Sequence, residues 1–220
     1  MHKQTLAIIH TTPVTIASLK ELALKHMTDI QVLNFLDDSI LPLLGRNGGD
    51  LREVEFKLVQ YAMYAEQAGA DVILNACSSV GEAVERMSQA VSIPVIRIDE
   101  AMAEMAIVKG REIGVIATLS TTLQPTLRLL QQKAKEQGGD RRFHSVLADE
   151  AYQMLIRGDV DAHDQILAQA LDKLGERSDV VVLAQASMAR AVKLLPDDQQ
   201  SKYLTSPELG MLRVKSSLGL

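Results

Sequence analysis

The segment Asp71 to Ala83, DVILNACSSVGEA, lines up without gaps on Asp179 to Ala191, DVVVLAQASMARA. Each reads as a buried strand that runs into a turn of hydroxyls and small residues and then into a helix. A second pair, Ile8 to Thr15 (IIHTTPVT) on Val115 to Thr122 (VIATLSTT), is weaker alone, yet it recurs at nearly the same offset, 107 residues against 108. Either alignment could be chance. Both at one offset imply two copies of one α/β unit, expected to face each other across a cleft. Solenoids repeat at roughly 20–50 residues, so the long period excludes them.

The rest of the chain fits such a unit. Short apolar runs alternate with longer amphipathic stretches, the pattern of a parallel sheet wrapped by helices. Strands are predicted at Leu6–Ile9, Ile30–Phe35, Val72–Asn75, Val95–Ile98, Ile113–Ala117, Phe143–Leu147 and Val180–Ala184. Helices are predicted at Val14–Met27, Leu51–Ala68, Val80–Val91, Thr122–Glu136, Asp164–Leu174 and Met188–Leu195. Gly69 and Gly138-Gly139 stand where helix C-terminal caps belong, and Pro94 opens a strand at an edge, where a missing N–H costs little. Leu44–Asp50 and the tail after Lys202 are the stretches expected to be mobile. The fold class is therefore α/β, as two pseudo-symmetric lobes, each a mostly parallel sheet flanked by helices, with the active site in the cleft. The lobes are expected at residues 1–103 and 104–204, with the tail 205–220 joining the first.

Composition narrows the function. A net charge of -5, 3% aromatic residues and no Trp leave neither the basic face nor the stacking platforms of a nucleic-acid binder. No apolar run is long enough to span a bilayer, and the N-terminus lacks the charged start and apolar stretch of a signal peptide, so a cytoplasmic location and no membrane partner are expected. One cysteine allows no internal disulfide. Five scattered histidines, without C-x-x-C or H-E-x-x-H, point to no metal.

Parallel α/β sheets place their sites at the C-terminal ends of strands. That nominates His10-Thr11-Thr12, Ala76-Cys77-Ser78-Ser79, Thr118 to Thr122, and Gln185-Ala186-Ser187. All are rich in groups that bond small anions and lack the glycines of a phosphate-cradling loop, so the expected ligand is a small carboxylate and no nucleotide cofactor is expected. Cys77 sits where a strand ends and a helix begins, and the free N–H groups there are expected to lower its pKa toward neutral. The plain alternative is a small buried hydrophobe. His10 suits proton transfer or is a satisfied polar group. Thr11, Thr12, Thr118, Ser120, Thr121 and Thr122 bind carboxylate oxygens or cap helices, as do Ser79 and Ser187. Asn75, polar within an apolar strand, orients the Cys77 turn or satisfies a neighbour. Arg46 and Arg52 reach a second carboxylate or, more simply, lie in solvent.

Four of these segments also carry a resemblance. GADVILNACSSVGEA (Gly69 to Ala83) is similar to the first cysteine motif of the aspartate/glutamate/hydantoin racemase superfamily, PVIRIDEAM (Pro94 to Met102) to the strand and helix start that come next there, and GVIATLSTT (Gly114 to Thr122) to the opening of the second half. SDVVVLAQASM (Ser178 to Met188) lies where that family carries its second cysteine motif. The resemblance implies a cofactor-independent racemase or isomerase, in which one cysteine removes the proton next to a carboxylate and another returns it on the opposite face. It implies substrate binding by Thr11, Asn75, Ser78, Ser79, Thr118, Thr122, Gln185 and Ser187, and a homo-oligomer. Cys77 matches the first cysteine; Gln185 matches the second. A glutamine amide neither gains nor loses a proton near neutral pH, so symmetric two-cysteine racemisation is excluded. His10 as second acid/base group, a one-proton decarboxylase or lyase reaction, or a Cys77 nucleophile in cis-trans isomerisation remain. A non-catalytic small-carboxylate binding protein is the reading from another class.

Overall fold

The computed structural model describes residues 3–220, which divide into two compact units, one running up to Ile98 and resuming at Pro207–Leu220, the other spanning Asp99–Ser206. The first contains β1 (Thr5–His10), α1 (Ile16–His26), β2 (Gln31–Leu36), α2 (Ile40–Arg46), α3 (Arg52–Gln67), β3 (Val72–Asn75), α4 (Val84–Ala90) and β4 (Val95–Arg97). The second contains α5 (Glu100–Lys109), β5 (Glu112–Ala117), α6 (Ser120–Gln137), β6 (Arg142–Leu147), α7 (Asp149–Ile156), α8 (Val160–Gly175), β7 (Val180–Leu183), α9 (Ala189–Val192) and β8 (Tyr203–Thr205). The last helix, α10 (Ser206–Ser217), returns the chain to the first unit.

Each unit holds one four-stranded parallel sheet, and the orders are the same: β2-β1-β3-β4 and β6-β5-β7-β8. The repeat in the sequence is thus a repeat in topology. β1, β3 and β7 are buried at every residue, because helices cover both faces of a parallel sheet, and this is why they read as continuous apolar runs. The edge strands β2 and β6 share one pattern of exposed and half-buried residues along their six positions.

Along β1, alternate side chains serve opposite faces of the sheet. Leu6 and Ile8 pack with Leu19 and Ala23 of α1, with Met27 just after it, and with Met211 and Val214 of α10. Ala7 and Ile9 pack with Ile40 and Leu44 of α2, with Val54 and Leu58 of α3, and with Met87 of α4. In the second unit Leu167, Leu171 and Leu174 of α8 close over Ile116, Val181 and Leu183. Gly69 (φ 84°) and Gly138 (φ 73°) take the left-handed backbone that ends α3 and α6.

The structure departs from the sequence reading at the tail. Residues after Lys202 form β8 and α10, and Met211 and Val214 have no exposed surface. Tertiary burial orders a segment whose weak amphipathic pattern gave no signal. The predicted mobile stretch Leu44–Asp50 begins inside α2. The predicted helices at Val80 and Met188 each open with a short 3-10 turn, Ser78–Ala83 and Ala186–Met188. No helix among the described residues is long and apolar enough to cross a membrane.

Candidate active site

The C-terminal ends of β1 and β3 bring His10, Thr11, Asn75 and Cys77 to one rim of the first unit, since Ile9 pairs with Asn75 in register. Cys77 has extended backbone (φ -133°, ψ 114°) and stands at the N-cap of the 3-10 turn. It is partly exposed and packs beside the core that β1 and α3 share. Burial pushes the thiol up from its ordinary value. The Thr11 hydroxyl, the N–H groups of Ser79 and Val80 and the Ser79 hydroxyl oppose that rise without overcoming it. The lowered pKa expected at a helix start is therefore corrected. The chain beyond Cys77 forms six residues of 3-10 helix, with Val80 off helical geometry (φ -115°, ψ 16°), so few N–H groups line up on the sulfur. Thr11 is 2% exposed and lies within reach of the thiol, but its Oγ1 closes no ordinary hydrogen bond in this state.

The sequence leaves His10 open between proton transfer and a satisfied polar group. The residue has no exposed surface, and both ring nitrogens are bonded, Nδ1 to Thr15 Oγ1 at 2.8 Å and Nε2 to Asn34 Oδ1 at 2.9 Å. Burial lowers its pKa, with the Asn34 bond opposing. As placed, the ring keeps no nitrogen for a ligand, which is the satisfied-polar geometry. Asn75, also fully buried, donates from Nδ2 to the carbonyls of Cys77 and Val80, each at 3.4 Å, and its Oδ1 has no partner among the described residues. Its contacts therefore brace the Cys77 turn. Ser78 and Ser79 are buried in that turn, at 7% and 4% exposure.

The second unit carries the matching pair. Thr118, 1% exposed, donates its N–H (2.6 Å) and its hydroxyl (3.0 Å) to Gln185 Oε1. A backbone N–H only donates, so the amide atom facing it is the oxygen. The NH2 group of Gln185 donates to no described residue. By the repeat, Thr118 stands where Thr11 does and Gln185 where Cys77 does. Thr122 is buried beneath, its carbonyl accepting from the Thr126 hydroxyl at 3.0 Å, and Ser187 is partly exposed in the turn after Gln185.

Of the remaining candidates, Arg52 pairs with Asp50 in solvent, and Arg46 is exposed near the end of α2. Sequence reasoning missed a cluster after β2. Asp37 accepts from Ser39, from Lys57 Nζ (3.0 Å) and from the Tyr61 hydroxyl (2.9 Å). Partial burial pushes Asp37 up, but those donors outweigh it and hold the carboxyl at about 2. No spacing rule pairs a loop aspartate with a helix 20 residues on. It also missed Arg97, 8% exposed at the end of β4, whose signal was a charge inside an apolar strand.

The profile of the Asp/Glu/Hydantoin racemase family matches residues 9–207. The chain belongs to this family. No curated protein matches the sequence. Among solved structures, the racemase-family fold recurs in a glutamate racemase isoform of Bacillus anthracis, 18% identical with a TM-score of 0.78, covering 99% of this chain and 83% of that one. An allantoin racemase from Klebsiella pneumoniae is 19% identical at 0.69, covering 99% and 89%. A glycine-to-cysteine mutant of arylmalonate decarboxylase is 15% identical at 0.61, covering 98% and 93%. These likenesses place the fold of this family member.

Proposed function

We propose that this racemase-family chain is a cofactor-independent enzyme that transfers one proton at the carbon next to a carboxylate of a small acid, with Cys77 as the acid/base group. The observation that carries the reading is the surroundings of the thiol: a half-buried cysteine at a strand end, its sulfur within reach of the Thr11 and Ser79 hydroxyls and two backbone N–H groups. Such donors stabilise charge that develops on sulfur or on a nearby oxygen. Ser78, Ser79 and Thr11 bind substrate oxygens in this reading. Thr118 fixes Gln185 by its carbonyl oxygen, leaving two amide N–H donors for a carboxylate.

The residues favour a one-proton reaction over two-base racemisation. Racemisation needs acid/base groups on both faces of one carbon. Gln185 does not ionise, and both His10 nitrogens are engaged. A raised pKa also keeps the proton on sulfur near neutral pH, which suits delivery rather than abstraction. In a decarboxylation of an acid with two carboxyl groups on one carbon, the electron pair of the broken carbon–carbon bond stays on that carbon, delocalised into the remaining carboxyl group, as CO2 leaves. The thiol then gives its proton to that carbon, and solvent reprotonates the thiolate. Cis-trans isomerisation by thiolate addition needs the ionised form and is the weaker alternative.

The test is Cys77→Ser and Cys77→Ala against small carboxylic acids in heavy water. Turnover is expected to fall by at least about 10²-fold with little change in Tm. CO2 release supports the lyase reading, and exchange without carbon loss supports isomerisation. Undiminished turnover in Cys77→Ala overturns the proposal. Dicarboxylates that protect the thiol from alkylation but are not turned over would instead mark a non-catalytic binding protein.

A further inference from the structure

We propose that Arg97 is a positioning residue: seated on Gly81, its guanidinium fixes the 3-10 turn so that the N–H groups of Ser79 and Val80 meet the Cys77 sulfur. The inference rests on Cys77 being the reacting group. Gly81 lies in the turn Ser78–Ala83, four residues after the cysteine. A Cβ built on Gly81 would overlap the Arg97 guanidinium, 2.7 Å from Nη2, closer than real Cβ atoms come. Only a glycine lets the buried arginine lie this close. Arg97 also pairs in register with Asn75, whose amide holds the carbonyls of Cys77 and Val80. The turn is thus gripped at Cys77, Val80 and Gly81 by two adjacent strand ends.

The second unit supplies an internal comparison. There Leu183 pairs with Thr205 as Asn75 pairs with Arg97. The offset of 108 puts Ala189 at the place of Gly81 and Gln185 at that of Cys77. The unit without a thiol therefore lacks the asparagine, the arginine and the glycine together. Chemistry accounts for the difference. A glutamine amide is already oriented by Thr118, whereas a sulfur that changes charge needs donors held at fixed points around it. A buried guanidinium carries a desolvation cost, and it is kept in the unit where a turn must be held. Charged or titratable side chains at or next to these strand ends include His10, Asp37, Glu82 and the buried Asp99, and none of them is altered in the test variants.

The test reads the thiol directly, so it is separate from turnover. Iodoacetamide alkylation of Cys77 in the full chain is followed by mass against pH, with native circular dichroism required of each variant. Gly81→Ala and Arg97→Met are expected to move the alkylation midpoint upward and slow alkylation at pH 8 about tenfold, since one pKa unit is tenfold in thiolate. Arg97→Lys is expected to restore part of the rate, and Ala189→Gly in the second unit to leave the midpoint where it was. A folded Gly81→Ala with the wild-type midpoint overturns the proposal, as does an equal shift in Ala189→Gly. Should Arg97→Met not fold, Gly81→Ala and Arg97→Lys decide it. A shifted midpoint without any turnover would leave the positioning role standing and remove the enzymatic one.

Discussion

Gln185 has two faces, and two substitutions separate them. Its Oε1 accepts the Thr118 N–H at 2.6 Å and the Thr118 hydroxyl at 3.0 Å, both from a residue 1% exposed, while its NH2 group points to no described partner. Gln185→Leu removes the acceptor and leaves a buried N–H unpaired, which costs about 1–3 kcal/mol of stability; the hydroxyl can rotate elsewhere. Gln185→Glu keeps an acceptor toward Thr118, so stability is expected to change by less than about 1 kcal/mol. It replaces both donors with a negative charge, however. Losing a hydrogen bond to a charged group is worth about 1.5–3 kcal/mol, and that is about tenfold to a hundredfold in carboxylate affinity. Urea unfolding reads the first quantity and calorimetric titration with small dicarboxylates the second. The expected signature is a split: Glu folds and does not bind, whereas Leu loses both. A Gln185→Glu protein that binds as tightly as wild type would refute the binding role, and a Gln185→Leu protein of unchanged stability would refute the Thr118 tie.

Met211→Ala, at a position with no exposed surface in the first unit's core, is expected to cost about 2–5 kcal/mol in urea unfolding; a loss under about 0.5 kcal/mol would mean that α10 is not docked in solution. His10 has its folded pKa lowered by burial from the ordinary 6.5, so the unfolded chain binds the proton more readily. Its contribution to stability is full above 6.5 and is lost as pH falls from there through the lowered folded value. Unfolding titrations from about pH 7.5 to about pH 5 should show a steeper decline for wild type than for His10→Gln, and parallel curves would count against a buried neutral ring.

The sheets were legible because burial on both faces leaves a continuous apolar run, and the repeat of Asp71–Ala83 on Asp179–Ala191 announced the duplication. Cys77 and Gln185 were legible because parallel strands end in sites. Three things were hidden. The tail was hidden because α10 is held by Met211 and Val214 against residues some 200 positions earlier. The state of the Cys77 thiol was hidden because it turns on the pitch of one turn, and 3-10 and α starts use the same residues. The state of His10 was hidden because Asn34, which occupies its Nε2, comes from the neighbouring edge strand. Contacts distant in sequence decided the tail and His10, and local backbone pitch decided the thiol.

What the two copies do not share says most about the work each performs. At equivalent strand ends the first unit has His10, Asn75 and Arg97, and the second has Ala117, Leu183 and Thr205. His10, Asn75 and Arg97 are all buried, and Asn75 Oδ1 has no hydrogen-bond partner among the described residues. An unsatisfied buried acceptor costs about 1–3 kcal/mol, and a buried guanidinium carries a desolvation cost of its own. Packing alone would favour apolar groups there, as Ala117 and Leu183 of the second copy illustrate, while Thr205 replaces the guanidinium with a small hydroxyl. A polar layer kept beneath one turn and absent beneath its twin has a local cause, and the local difference is the thiol. Under the proposed function, the first unit holds a group that changes charge, and the second holds an amide that binds. On that argument, moving the cysteine alone to position 185 would supply a sulfur without the donors that make it useful.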